Sequence, residues 1–443
     1  MTADSPIRSV CMVRPGRRRD RSSMNTPPPA LARRLGLGDA VMIGLGSMVG
    51  AGVFSVFAPA ALAAGSGLLI GLAIAAIVAF CNAVSSAQLA AVYPTSGGSY
   101  VYGRERLGEW WGFAAGWSFV IGKTASCAAM ALTFASYAAP DSSWVRRAVA
   151  LAAVGALAAL NYRGITRTAM LARVLVTLVL LTLAGFAVVL LSSGQLSADG
   201  IAGHERLFHA GPYGILQSAG LLFFAFAGYA RIATIGEEVR DPERTIPQAI
   251  PLALAIAVTI YVVIATTLLL TLGPEQLARS TAPLTIAAEQ AGAGLLAPIL
   301  RIGAALASLG ALLALIAGVA RTTLAMARHG DLPAWLAAVH PRYRVPQHAE
   351  VVLAVVVGLL VLTTDLREVI AFSSFGVLIY YAIANASAYT QPSHQRRWPR
   401  AVNVLGAAGC LILACTLPRT AVLAGAAILA IGHAGRAITC RRR

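Results

Sequence analysis

The stretch GLGSMVGAGVF, residues 44–54, places four glycines inside the first long apolar run of this 443-residue chain. Each glycine costs roughly 1 kcal/mol relative to alanine in a helix interior, so four of them require an explanation. Helix packing is one, because Gly46 and Gly50 form a GxxxG pattern that lets a neighbouring helix approach closely. An unwound helix, whose freed backbone groups bind a ligand, is the other. This run alone does not separate the two.

The composition places the chain in a membrane. Hydrophobic residues make up 58% of it and charged residues 12%, whereas soluble domains carry about 25% charged residues. The mean hydropathy is +0.73, and continuous apolar runs of about 20 residues, the length that crosses a bilayer, recur along nearly the whole sequence. Because polar and apolar residues do not alternate in these runs, a β-barrel is excluded. The sequence predicts an all-α membrane protein with many spans in a lipid bilayer.

Twelve membrane spans are predicted, and the arginines orient them. The net charge of +17 comes almost wholly from arginines in the tails and the gaps predicted to face inward, as the positive-inside rule requires, so nucleic acid is not an expected partner. The basic tail 1–37, which contains no signal peptide, and the tail 437–443 are both predicted to lie in the cytoplasm, with the spans in the cytoplasmic membrane. The spans lie at about 38–63, 66–92, 108–138, 145–161, 170–192, 213–235, 248–272, 293–320, 348–364, 367–389, 401–417 and 419–436.

A second glycine interruption decides between the two interpretations of the first. In span six, Gly228 interrupts the aromatic run of GLLFFAFAGYARIATIGEEVRDPERTIPQAI, residues 220–250, near the middle of the membrane. Spans one and six each begin one half of a ten-span core, and paired interruptions of this kind indicate a transporter built from inverted repeats. Half-helix N-termini attract a carboxylate, and freed carbonyls accept from an ammonium group. The pair of interruptions therefore predicts unwound helices that bind an amino acid.

Four stretches carry a family resemblance over essentially all twelve spans. They are GLGSMVGAGVF, AQLAAVYPTSGGSYVYGRERLGEWWGFAAGW, FFAFAGYARIATIGEEVRDPERTIPQAI and ARTTLAMARHGDLPAWLAAVHPRYRVP. The chain resembles the amino acid–polyamine–organocation (APC) superfamily of permeases. The resemblance implies a LeuT-like five-plus-five inverted-repeat core at 38–389, with repeats at 38–192 and 213–389, discontinuous helices 1 and 6, and two peripheral helices at 401–436. It also implies transport by alternating access.

The resemblance further implies a substrate site at the two interrupted spans. Phe224 would cap the bound substrate from outside, and Tyr100 would stand on the cytoplasmic side of the path, although ordinary packing also accounts for both aromatics. The substrate carboxylate would accept from the backbone N–H groups of Gly50, Ala51 and Gly52. Its ammonium group would donate to the carbonyls of Met48, Phe224, Ala225 and Ala227, beside Gly228.

The chain departs from the usual family pattern where coupling is concerned. Ala51 replaces the usual serine or threonine of span one, and Gln88 the glutamate of span two. Some members carry a lysine in span five, where this chain has apolar residues around Val179. Lys123 in span three is hypothesised to replace it, as a proton-linked coupling group or a tether to span one, because a charge inside a span costs roughly 3 kcal/mol and usually faces a cavity. A structural pairing with backbone carbonyls is the alternative.

Charged residues also bear on the substrate. Arg231, nearer the cytoplasmic end of span six, is expected to pair with Glu237 or Glu238 rather than to touch substrate. No acidic residue lies in the core of a span. A site with Lys123 nearby and no carboxylate argues against a cationic substrate, so neutral amino acids are expected first and acidic ones second.

Secondary active transport of amino acids is the favoured function, by proton symport or by exchange for a counter-substrate. A membrane sensor of amino acids on the same fold, without net transport, is the alternative. The sequence contains no Walker lysine motif, so ATP is not the expected energy source. An enzyme is not indicated, because the sequence contains no HExxH, no nucleophile elbow and no catalytic constellation at a membrane face. No cofactor or metal is expected, since Ser308 alone is weak evidence for sodium, and His329 and His340 are interpreted as loop residues.

Overall fold

The computed structural model describes residues 35–93, 97–139, 142–164, 169–194, 207–233 and 238–441. Within these ranges the chain forms helices and no strand. Inside a bilayer, a helix is the element that satisfies every backbone group within its own segment. The helices are α1 (Leu37–Met48), α2 (Gly52–Ser55), α3 (Phe57–Ala64), α4 (Leu68–Val92), α5 (Ser99–Leu107), α6 (Glu109–Ala138), α7 (Ser143–Tyr162), α8 (Ala169–Ser192), α9 (Gly211–Phe226), α10 (Ala230–Ala233), α11 (Pro242–Arg279), α12 (Pro283–Gln290), α13 (Ala297–Arg328), α14 (Gln347–Thr363), α15 (Leu366–Tyr389), α16 (Arg400–Thr416) and α17 (Arg419–Arg441).

The described residues contain nine helical stretches that are long and apolar enough to cross a membrane. Three shorter apolar helices, α9, α14 and α16, coincide with predicted spans six, nine and eleven. The chain is therefore a multi-pass helical membrane protein, while the count of twelve spans stays a prediction. Two short helices, α5 and α12, form in stretches for which the sequence analysis predicted no helix.

Both glycine-interrupted spans are broken helices. α1 ends at Met48, and α2 begins at Gly52. Val56 keeps a helical conformation, so α2 and α3 continue as one half-helix. In span six, α9 ends at Phe226 and α10 begins at Ala230. Each predicted interruption is thus a non-helical stretch in the interior of the bundle.

Helices α6 and α15 cross at two glycines. A Cβ added to Gly376 would lie 2.8 Å from the Cα of Gly122, so position 376 must lack a side chain at this spacing, and one added to Gly122 would lie 3.2 Å from the Cα of Gly376. Small residues allow such close backbone approach between helices in a membrane. Lys123 follows Gly122 directly, and this crossing therefore fixes where the lysine enters the bundle.

A chain of buried hydrogen bonds between three asparagines and a serine attaches α16 to α4 and α15. Asn385 on α15 donates to Asn82 on α4 at 2.6 Å, and Ser85 donates to Asn385 at 2.7 Å. Asn403 on α16 donates to Ser85 at 2.6 Å. Each such bond contributes about 1 kcal/mol net, and each is costly to break because an unpaired polar group would remain buried.

The segments just before α1 and just after α10 pair through their backbones. Leu35 N–H donates to the carbonyl of Glu238 at 3.1 Å, and Arg240 N–H donates to the carbonyl of Leu35 at 2.9 Å. The two bonds form an isolated parallel bridge between Leu35 and Val239. This bridge joins the ends of the two broken spans on the side predicted to be cytoplasmic.

Candidate functional site

The two helix breaks touch each other. A Cβ added to Gly228 would lie 2.5 Å from the backbone nitrogen of Met48, and one added to Gly52 would lie 2.8 Å from the Cα of Ala225. No side chain larger than hydrogen fits at either position without a backbone shift. The structure thus brings together residues from both halves of the predicted substrate site.

A tyrosine hydroxyl is hydrogen-bonded to two of the carbonyl oxygens that were predicted to accept from the substrate ammonium. The hydroxyl of Tyr261 on α11 lies 2.7 Å from the carbonyl oxygen of Met48 and 3.0 Å from that of Ala225. The hydroxyl has one proton to share between these two acceptors. Tyr261 therefore bridges the carbonyls of α1 and α9 across the point where the breaks meet.

Lys123 is hydrogen-bonded to a third carbonyl that was predicted to accept from the substrate ammonium. Its Nζ donates to the backbone oxygen of Ala227 at 3.1 Å, and the Tyr381 hydroxyl donates to the same oxygen at 3.4 Å. Lys123 is 8% exposed. The side chain therefore reaches the break of span six, whereas the sequence analysis considered a tether to span one.

A cavity of about 540 Å³ lies beside the breaks. Of the predicted site residues, Gly50, Ala227, Gly228, Lys123 and Tyr100 line it. Apolar residues of α1, α8 and α13 form most of the remaining wall. The other predicted residues are buried and do not line it: Met48, Ala51, Gly52, Phe224 and Ala225.

The cavity extends toward one end of the bundle. Leu35 and His329 line it at the end that the arginines predict to be cytoplasmic. On the other side of the breaks, the Tyr137 hydroxyl donates to the carbonyl of Phe54 at 3.1 Å, and the two rings meet edge to face at 5.6 Å. These contacts join α6 to α2.

A buried ion network holds the predicted gate residue Tyr100. Its hydroxyl donates to Asp331, which follows α13, at 2.8 Å. Asp331 also pairs with Arg104 of α5 at 3.3 Å and with Arg436 of α17 at 2.9 Å. Burial, together with the Asp331 carboxylate, raises the pKa of Tyr100, so the hydroxyl stays protonated and remains a donor.

Arg436 is held on several sides at once. Its Nη1 donates to the carbonyl of Glu109 at 2.7 Å. The guanidinium also lies over the rings of Trp110 at 4.7 Å and Phe113 at 5.2 Å, which are cation–π distances. The C-terminal helix α17 is thereby fixed to the start of α6 and to the loop after α13.

Sequence reasoning missed three residues of this site. Tyr261 is a lone tyrosine in an aliphatic span, and Asp331 looks like part of a turn. Arg436 looks like an ordinary basic residue near the end of the chain. The sequence marks these three residues only as polar, and it does not show that packing buries them. No fixed spacing along the chain links them to the predicted site.

Comparison with known proteins gives a consistent family match. The profile of a family described as amino acid permease matches residues 35–429. An uncharacterized transporter of Mycobacterium tuberculosis is 57% identical over 426 residues, which cover 94% of each chain.

More distant relatives have names that state a substrate. A branched-chain amino acid permease of Bacillus subtilis is 26% identical over 412 residues, 87% of each chain. Cationic amino acid transporter 7, chloroplastic, of Arabidopsis thaliana is 26% identical over 390 residues, 82% of this chain and 66% of the plant protein. These names differ in the substrate and agree on transport.

Proposed function

Because this chain belongs to the amino acid permease family of the APC superfamily, we propose that it is a secondary active transporter that moves amino acids across the cytoplasmic membrane by alternating access. The observation that carries the proposal is the contact of two helix breaks, at Gly52 and Gly228, beside a cavity. Irregular backbone at membrane depth persists where it is buried in protein or lines a cavity, and half-helix ends there bind charged groups.

The proposed substrate site uses the ends of the broken helices. The substrate carboxylate accepts from the N–H groups of Gly50, Ala51 and Gly52, where the start of α2 carries partial positive charge. The substrate ammonium competes with Lys123 and Tyr261 for the carbonyls that those side chains now occupy. Lys123 and Tyr261 contact the backbone oxygens of Met48, Ala225 and Ala227. The backbone oxygen of Phe224 is the fourth proposed acceptor. Phe224 and Tyr100 act as gates on opposite sides.

Lys123 is proposed as the coupling group. Its ammonium donates to Ala227 O, which places a cation in the position that the substrate ammonium would take. Arrival of substrate therefore requires Lys123 to move or to release its proton. This competition supports linkage between substrate binding and proton transfer.

The proposed architecture follows the family. Twelve spans form repeats at 38–192 and 213–389, with peripheral helices within 401–436 and both termini in the cytoplasm. The predicted N-terminal tail lies almost wholly outside the described residues. The names of the relatives do not fix the substrate, since one states branched-chain and another cationic amino acids.

Lys123→Gln and Lys123→Arg are expected to abolish stimulation of uptake by an inward proton gradient. Glutamine donates a hydrogen bond without titrating, and arginine keeps the charge but does not release its proton. Because bonds from charged groups contribute about 1.5–3 kcal/mol, substrate affinity should change by roughly tenfold or more as well. Uptake of labelled amino acids into proteoliposomes, with and without the gradient, measures both effects.

Each other outcome of that experiment has a definite meaning. Uptake that needs only internal amino acid indicates an exchanger and removes Lys123 from coupling. Retained proton stimulation in Lys123→Arg means that the lysine is structural. Binding without any uptake supports the sensor alternative and overturns the transport proposal.

A further inference from the structure

A second cavity, of about 320 Å³, lies at the end of the bundle that the arginines predict to be cytoplasmic. The end of α4, the start of α11 and the loop between α15 and α16 form its wall. The polar side chains on this wall are those of Glu243, His394, Gln395, Arg396 and Arg397. None of these residues lines the cavity beside the helix breaks, where Arg231 and Glu238 are close enough to interact and Glu237 lies outside the described residues.

Buried polar atoms without a hydrogen-bond partner gather around this second cavity. On its wall they are Oε1 of Gln395 and Nε of Arg396. Both side-chain polar atoms of Gln391, in the same loop, and Nε2 of Gln88 are also unpaired, although these residues are 0% and 1% exposed. Gln88 is connected to the wall, because its Oε1 accepts from the backbone N–H of Arg397 at 3.3 Å. Since an unpaired buried polar group costs free energy, this cluster indicates a ligand that supplies the missing partners.

The two arginines of the wall present free N–H groups. Within the described chain, the side chain of Arg396 has no hydrogen-bond or ion-pair partner. Arg397 donates through Nη2 to the backbone carbonyl of Glu243 at 2.7 Å and forms no ion pair with a described carboxylate. These guanidinium groups need acceptors whatever the net charge of the wall. Phosphate oxygens match the planar fork of a guanidinium, which binds them through parallel hydrogen bonds.

The wall also carries acceptors that need donors. Gln395 Oε1 has no donor, and the side chain of Glu243 adds a carboxylate. A ligand with hydroxyl groups beside its phosphate would satisfy both kinds of group. The glycerol headgroup of phosphatidylglycerol has this chemistry.

An aromatic pair places the loop at the surface of the bilayer. Trp398, directly after Arg397, is 40% exposed and meets the ring of Phe80 edge to face at 5.6 Å. Phe80 is itself 39% exposed and lies within predicted span two, so the pair faces lipid. Tryptophan is enriched where a membrane meets water, and basic pockets between membrane helices on the cytoplasmic side bind lipid headgroups. The position of the cavity therefore favours a lipid over phosphate from solution.

We propose that this second cavity binds the headgroup of an anionic phospholipid of the phosphatidylglycerol class, with its phosphate on Arg396 and Arg397 and its hydroxyls on Gln395 and Glu243. The site lies apart from the substrate site, and the inference goes beyond the proposed transport function. A bound headgroup joins α4, α11 and the loop between α15 and α16 at one point, and thereby stabilises the bundle.

The purified full-length protein in detergent, titrated with short-chain phosphatidylglycerol, tests the proposal. Melting temperature measures stabilisation, and native mass spectrometry counts the bound lipid. Arg396→Gln should lower the affinity about tenfold, the size of one charge-assisted hydrogen bond. Because the Arg396 side chain has no partner in the described chain, this variant should melt like the wild type without lipid. Arg328→Gln is the matched control, since Arg328 is an exposed arginine at the same end of the bundle and lines neither cavity.

Further ligands identify what the site recognises. Short-chain phosphatidylcholine, whose headgroup has a phosphate but no O–H or N–H donor, should bind more weakly than phosphatidylglycerol, and equal affinity overturns the proposal. Inorganic phosphate that stabilises the wild type as well as the lipid does would show that the site takes phosphate from solution, which also overturns it. So does an absence of lipid binding, equal affinity of the wild type and Arg396→Gln, or an equal loss in Arg328→Gln. None of these measurements depends on uptake, so the lipid site and the transport proposal can fail separately.

Discussion

Gly228→Ala is expected to abolish uptake and to lower the thermal stability of the protein in detergent. The added methyl would lie 2.5 Å from the nitrogen of Met48 and closer still to the carbonyl of Ser47. Both neighbours are backbone atoms, so a change of side-chain rotamer cannot relieve the overlap. Overpacking in a core costs about 1–3 kcal/mol even where side chains can adjust, and we expect at least the upper end of that range here.

Gly155→Ala provides the matched control. A Cβ at Gly155, on the exposed face of α7, meets no atom within 4 Å. Alanine favours a helix over glycine by up to about 1 kcal/mol, so this variant should be neutral or more stable. Uptake and melting temperature are measured for both variants, and the loss should occur in Gly228→Ala alone. Normal uptake by Gly228→Ala would mean that the two breaks need not touch during transport.

Asp331→Asn is expected to be the most destabilising change at the end of the bundle that carries the Tyr100 network. The side chains of Asp331 and Arg436 are 2% and 4% exposed, and they pair at 2.9 Å. Removing one partner of a buried ion pair leaves the other charge uncompensated, at a cost of about 3–5 kcal/mol. We expect the lower end, because Glu109 still contacts Arg436.

A double-mutant cycle separates the loss of the Asp331–Arg436 ion pair from a general loss of stability. Arg436→Gln alone should also destabilise, and the double variant with Asp331→Asn should lose less than the sum of the two single losses. Asp39→Asn serves as the control, because its pair with Arg173 is 19% and 51% exposed and such pairs contribute about 0–1 kcal/mol. Additive losses in the cycle would show that the ion pair does not hold α17 in place.

The two helix breaks could be predicted because their cause is local. Glycines 50, 52 and 228 weaken a helix wherever they stand, and their placement in two corresponding spans indicated a common purpose. The family match confirmed the resemblance on which the site residues rest. The roles of those residues stay predictions.

The contacts that complete the site could not be predicted, because they join distant parts of the chain. Tyr261 meets Met48 only after α11 packs beside α1, and no spacing in the sequence encodes that neighbour. Arg436 looked like one more positive charge near the C-terminus, although the packing of α17 buries it. Polarity marked these residues, and only the three-dimensional structure supplied their partners.

The bridge between Leu35 and Val239 restricts how the ends of the two broken spans can move beside the cavity. Since two backbone hydrogen bonds join the segment before α1 to the segment after α10, these segments either move as one body or separate by breaking both bonds. Hydrogen exchange distinguishes the two cases. In joint motion the amides of Leu35 and Arg240 stay protected while substrate turns over. In separation both amides exchange at one shared rate, and that rate rises with turnover.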